Sequence, residues 1–150
     1  MGLLLMAVVT LAERIEAPAD AVWDYVCWHG VAKLDQYSGG FFRKIEFQGD
    51  EPRVGITKTI YPHDGLPISE RLESLDLADR TYRYRLTDVG SLPITDYRGY
   101  VRVTPAGPAA CHLKIECEFT AVEVSEAEWI ETWLAMETQL VTEIRRALAG

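Results

Sequence analysis

From residue 41 onward, apolar and polar residues alternate along the chain with a period of two. Six stretches keep it: FFRKIEFQGD, VGITKTIYP, LPISERLESLD, RTYRYRLTDV, ITDYRGYVRVTP and CHLKIECEFTAV. Successive side chains of a strand point to opposite faces, so this period predicts strands. Gly49-Asp50, Asp64-Gly65, Ala78-Asp79, Gly90-Ser91 and the run Pro105 to Pro108 separate them. Connections this short favour antiparallel neighbours. Residues 6–15, rich in Val, Leu and Thr, add a seventh strand at the start.

The period changes to three and four at two places. Pro18 suits a first helical position, and the Asp20 carboxylate favours the helix dipole. Val22, Tyr25 and Val26 then make an apolar stripe. This predicts a short helix, with a second short one near residues 30–36. Towards the C-terminus Ser125 and Glu128 have the spacing of a capping box. Trp129, Trp133, Met136, Leu140, Ile144 and Leu148 recur at helical intervals after them. A long amphipathic helix of roughly six turns is predicted. The whole reads as one α+β domain over residues 1–150. A seven-stranded curved antiparallel sheet wraps a long C-terminal helix, with two short helices after the first strand. One helix covers such a sheet only in part, so an internal cavity between them is expected.

The alternation also assigns faces. Tyr97, Gly99, Val101 and Val103 fall on the inner one, as do Tyr82, Tyr84 and Leu86, and Leu113, Ile115, Cys117 and Phe119. In ISERLESLD the inner set is Ile68, Glu70, Leu72 and Ser74, which aims the Glu70 carboxylate at the cavity. Ile56, Lys58 and Ile60 share a face whose direction the pattern leaves open; turned inward, it sets Lys58 beside Glu70. A carboxylate buried alone is costly. Glu70 therefore needs a partner, water, or a raised pKa, and Lys58, Tyr84 and Tyr97 are the candidate partners. Arg83, Arg85, Arg98 and Arg102 point outward among Glu73, Glu116 and Glu118, the pattern of a solvated exterior with cross-strand pairs.

Composition narrows the partners. With 150 residues, 48% hydrophobic and 25% charged, the chain can bury a core without staples. A net charge of -8 argues against nucleic acid or an anionic membrane and fits a cytoplasmic protein. No stretch approaches the roughly 20 apolar residues of a membrane span. The apolar start, Met1 to Val9, lacks a basic flank and reads as a strand rather than a signal peptide. Cys27, Cys111 and Cys117 have no C-x-x-C spacing and read as buried small residues. His29 and His63 sit near turns and are expected at the surface, and His112 lies on an outward phase. No His pair has metal spacing, and no nucleophile elbow, phosphate loop or dinucleotide fingerprint occurs, so no metal and no cofactor is expected.

The order of elements, with APADAVWDYV, VGITKTI, ERLESLD, TYRYRL and ITDYRGYVRVTP, resembles the START/Bet v 1-like superfamily. This is the SRPBCC, or polyketide cyclase/dehydrase and lipid transport, group, which has the helix-grip fold. Locally the chain is similar to the plant abscisic acid receptors. Asp64-Gly65-Leu66-Pro67-Ile68 stands at their gate turn, Glu70-Arg71-Leu72-Glu73 at a cavity strand, and Ile94-Thr95-Asp96-Tyr97 at a second strand start. Leu92-Pro93-Ile94 replaces their His-Arg-Leu latch. The resemblance implies a cavity for a small hydrophobic molecule, whether lipid-like, polyketide or otherwise cyclic, with Leu66 and Pro67 as its gate.

Expected ligand contacts are Lys58, Ile60, Glu70 and Leu72, then Tyr84, Tyr97, Ile115 and Cys117 from the sheet. Trp133, Met136 and Leu140 are expected from the helix. The protein is expected to act as a monomer or homodimer. Three functions compete. A binding protein would use Glu70 and Tyr97 to orient the ligand's polar end. A polyketide cyclase/dehydratase-like enzyme would use Glu70 or Lys58 to move protons and Tyr97 to stabilise an enolate. An interaction module would use the outer sheet and have a filled core.

Overall fold

All seven alternating segments become strands, and they pair antiparallel into one sheet. The computed structural model describes residues 6–34 and 42–150. Its strands are β1 (Ala7–Ile15), β2 (Lys44–Phe47), β3 (Thr57–Tyr61), β4 (Ile68–Asp76), β5 (Thr81–Asp88), β6 (Ile94–Pro105) and β7 (Cys111–Ala121). The spatial order is β1-β7-β6-β5-β4-β3-β2, a meander that β1 closes by pairing with β7. Ala7 lies opposite Phe119 and Ile15 opposite Cys111.

Helix α1 (Ala19–Val26) and a 3₁₀ turn (Gly30–Leu34) follow β1, and α2 (Glu126–Ala149) ends the chain. The α+β arrangement is therefore the one the patterning predicts, and it is the helix grip that the resemblance implies. Residues 35 and 36 of the second expected helix, and Phe41, lie outside the described residues. Pro18 is the N-cap of α1 rather than its first helical residue. Its ψ of 145° is extended, and its carbonyl accepts from the Ala21 and Val22 N–H groups. At α2 the Ser125 hydroxyl accepts from the Glu128 N–H at 3.1 Å.

Alternation breaks where strands carry an extra residue. Leu72 lies opposite Tyr84 but Ser74 opposite Arg83, so Glu73 is a bulge. The phase flips beyond it. Ser74, expected on the inner face, is exposed, and Leu75 opposite Tyr82 is half-buried in its place. On β6 a second irregularity falls between Thr95 and Arg98, and Asp96 adopts a φ of 54° there. The buried positions consequently run from Ile94 to Tyr97, three apart. Gly99 faces Tyr84 across the β5–β6 ladder, and any Cβ at 99 overlaps the Tyr84 ring. Glycine is what lets that ring lie against the β6 backbone.

The geometry of the sheet creates the cavity. Seven strands at the usual spacing span roughly 30 Å, whereas a helix with its side chains covers about 10 Å. Helix α2 packs on β1 and β7 and against α1 and the 3₁₀ turn. Trp129, Trp133, Val141 and Ile144 are buried under it. The inner face of β3, β4 and β5 is not closely packed by the helix, and a gap is left between them.

Candidate ligand cavity

A cavity of about 100 Å³ lies between α2 and the half of the sheet that the helix leaves uncovered. Ile45 on β2, Lys58 and Ile60 on β3, and Glu70 on β4 form one wall. Tyr82, Tyr84, Val101 and Ile115, from β5, β6 and β7, form the floor. Val26, Val31 and Phe42 close one end, and α2 contributes Glu137 and Leu140.

Lys58 points inward, which the alternation left open. It lies directly opposite Glu70 in the β3–β4 register, the arrangement that brings two side chains of one face together. The Lys58 Nζ is 3.6 Å from Glu70 Oε1, and the two side chains are only 3% and 12% exposed. Nζ also donates to the Trp28 carbonyl at 3.1 Å and sits 4.1 Å from the centroid of the Trp28 ring. Burial lowers the Lys58 pKa and raises that of Glu70, and the attraction between the two opposes both changes. Burial outweighs the attraction for both groups, so the contact only partly offsets the cost of keeping two charges in the cavity.

The second carboxyl of the cavity, Glu137, was not a candidate on sequence. Burial, and then the charge of Glu70, push it up to about 8. It is consequently mostly protonated at neutral pH. One signal could have found it. Glu137 follows Trp133 by four residues and precedes Leu140 by three, so it interrupts the apolar stripe of α2.

The tyrosines form a chain across the floor. The Tyr84 and Tyr97 hydroxyls are 3.3 Å apart, and Trp133 Nε1 donates to Tyr97 at 3.0 Å. The Tyr82 hydroxyl donates to the Val26 carbonyl at 2.9 Å, tying β5 to the end of α1. Burial raises all three tyrosines well above the ordinary value, so they remain neutral hydrogen-bonding groups. Tyr97→Phe leaves the buried Trp133 N–H without its acceptor. It is expected to lower unfolding stability by about 1–3 kcal/mol, measured by urea titration. A loss below the error of that titration removes the bond from the account.

Residues 6–150 match the family model described as polyketide cyclase / dehydrase and lipid transport. The chain belongs to that family. Its members typically bind hydrophobic ligands. No curated protein matches the chain in sequence. Among solved structures it is similar to the protein XoxI from Bacillus cereus, at 21% identity and a TM-score of 0.79 over 95% of each chain. A second similar structure is an uncharacterised protein from Bacillus thuringiensis, at 20% identity and a TM-score of 0.77. That match covers 96% of this chain and 100% of the other. Norcoclaurine synthase from Thalictrum flavum, in complex with dopamine and hydroxybenzaldehyde, is 22% identical with a TM-score of 0.73. It covers 97% of this chain and 87% of its own. At these identities the likeness is one of fold.

Within this family frame, Lys58, Ile60, Glu70, Tyr84, Ile115 and Leu140 are the sequence candidates that meet on the cavity. Leu72, Tyr97, Cys117 and Trp133 are buried in the adjoining core. Tyr97 lies one hydrogen bond beyond Tyr84. Burial pushes the Cys117 thiol up to about 12, which leaves it inert as a nucleophile. Met136 is half-buried on α2, while Leu66 and Pro67 are exposed. Their loop is held to the next turn by the Leu66 N–H, which donates to Ser91 Oγ at 3.0 Å. His29, expected at the surface, is half-buried. It bonds the Gly49 carbonyl at 3.0 Å and stacks 4.5 Å from Phe47.

A larger hollow, of about 300 Å³, lies on the outer face among Glu73, Arg83, Arg98 and Glu116. Its charges pair across strands, as in Arg85 with Glu73 at 2.7 Å, or lie over Tyr100 as Arg83 does. Such groups are hydrated and screened, so the smaller, mainly apolar cavity is where binding energy can be concentrated.

Proposed function

We propose that this chain binds a compact hydrophobic molecule in the cavity between the sheet and α2. The observation that carries this reading is a buried Lys58–Glu70 pair set in walls of Ile, Val, Leu and Tyr side chains. Apolar walls supply the drive, and a few fixed polar groups set the orientation. A volume of about 100 Å³ suits a ring-sized body better than a long acyl chain. The exposed Leu66-Pro67 turn serves as the gate. Family membership supports the reading, as does the fold likeness to norcoclaurine synthase, whose structure holds dopamine and hydroxybenzaldehyde.

The test is native mass spectrometry of the protein purified from its own host, followed by analysis of what denaturation releases. A stoichiometric small molecule is expected. The released compound, added back at a hundred times its Kd, raises stability by about 2.7 kcal/mol. Release of nothing, together with no thermal shift across a panel of cyclic compounds, sinks the reading.

A second reading rests on the facing of Glu70 and Glu137. A carboxyl that holds its proton near neutral pH can act as a general acid towards a carbonyl oxygen. In a polyketide cyclase/dehydratase-like reaction, Glu137 would donate that proton and Glu70 would receive one from carbon. Protein-dependent deuterium uptake at the α-carbon of a β-diketone probe, lost in Glu70→Gln, is the expected sign. Uptake at the buffer rate rules it out.

A further inference from the structure

The cavity is not electrostatically complete. Lys58 is the lone basic residue among the described residues that line it. Its ammonium is already engaged by the Glu70 carboxylate, the Trp28 carbonyl and the Trp28 ring. The Tyr84 hydroxyl faces that of Tyr97, and the Tyr82 hydroxyl is donated to Val26. Glu137, by contrast, lines the cavity from α2 and has no hydrogen bond or ion pair to any described residue. Glu70 thus takes the one ammonium and Glu137 has none, and the vacant electrostatic role is that of a cation.

We propose that Glu137 anchors the protonated amine of a small hydrophobic ligand, so that the cavity selects amines over neutral or acidic molecules of the same size. The inference rests on the cavity being a ligand site. Geometry favours this occupant in three ways. An ammonium beside Glu137 gains a charge-assisted hydrogen bond that no residue now supplies. Tyr82 and Tyr84 line the same space, and aromatic rings attract cations. A carboxylate ligand, in contrast, finds no unengaged cation, since it would have to displace Glu70 from Lys58. The charged and titratable groups around Glu137 are Lys58 on β3, Glu70 on β4, Tyr82 and Tyr84 on β5, Tyr97 on β6 and Cys117 on β7. Only Lys58 among them is cationic, and it is taken. Size sets the other limit. At about 100 Å³ the site is smaller than the roughly 150 Å³ cavities that accept benzene, so its occupant is at most a single ring that extends into the cavity's open side.

The experiment measures binding of benzylamine, benzyl alcohol and benzoate by calorimetry at pH 7, on the full chain and on Glu137→Gln. The expected result is benzylamine at least tenfold tighter than benzyl alcohol, with benzoate weakest. In Glu137→Gln that preference disappears, because benzylamine falls to the level of benzyl alcohol while benzyl alcohol itself is unchanged. Equal binding of amine and alcohol to the native chain overturns the proposal and leaves the cavity reading standing. So does a preference that survives Glu137→Gln, or benzoate binding tightest. Binding of none of the three, at concentrations where the thermal shift of a folded control is flat, overturns the cavity reading and the proposal with it. Near-ultraviolet circular dichroism of Glu137→Gln confirms that the variant is folded.

Discussion

Lys58→Met is expected to destabilise the protein by about 3–5 kcal/mol at neutral pH, the cost of leaving a buried charge without its partner. The substitution strips Glu70 of its counter-ion at 3.6 Å, in a side chain only 12% exposed. It also removes the donor to the Trp28 carbonyl and the cation over the Trp28 ring. At this chain length each kcal/mol moves the melting temperature by about 2–4 °C, so a fall of roughly 10 °C is expected. The double variant Lys58→Met/Glu70→Leu should recover most of the loss, because apolar replacements of a buried pair are close to neutral. The two results together separate a buried pair from a helpful but dispensable surface contact. If Lys58→Met melts within a degree or two of the native chain, the pair is hydrated and the cavity is wetter than its geometry implies.

The second large effect is a pH dependence carried by Glu137. Its carboxyl titrates near 4.5 when exposed and is pushed up to about 8 in the fold, by burial first and by Glu70 second. Between those values the folded state holds a proton that the unfolded state has released. Stability relative to a neutral side chain is therefore full below about pH 4.5 and is lost as pH rises towards 8. Glu137→Gln removes this titration. The variant should match the native chain near pH 4 and exceed it by a few kcal/mol at pH 9, the difference growing through the interval. Subtracting the two profiles cancels the groups not coupled to Glu137 and leaves Glu137 with its neighbour Glu70 in the difference. A difference that stays flat from pH 4 to 9 means that the carboxyl is solvated and has its ordinary pKa. Chemical denaturation across that range measures it.

These two groups also show where the sequence stops being readable. Period-two segments, short turns and one long amphipathic stripe state the number of strands, their antiparallel pairing and the helix that ends the chain. That information is local: each side chain's face follows from its parity, and the inward direction of Tyr82, Tyr84, Ile115 and Cys117 came directly from it. Parity holds only while the strand is regular. At Glu73 an added residue turned Ser74 outward and Leu75 inward, and no residue in ISERLESLD announces the bulge. The same alternation left Lys58 undecided, because a lysine between two isoleucines suits either face until a carboxylate is known to lie opposite.

Glu137 marks the boundary most clearly. Its place on the α2 stripe is written in the spacing from Trp133 to Leu140, but whether a stripe position meets packed sheet or open cavity depends on where the helix lies. That is set by contacts with β1, β7 and α1, far away in sequence. The sequence by itself determined the sheet, the helix and the expectation of a gap between them, since those follow from side-chain period and from the mismatch of their widths. Only the tertiary structure decided which groups face that gap. A cross-strand register brought Lys58 to Glu70, a glycine at 99 let Tyr84 lie flat, and the path of α2 over the sheet set one carboxyl across from another. Each depends on distances between segments that no local pattern encodes.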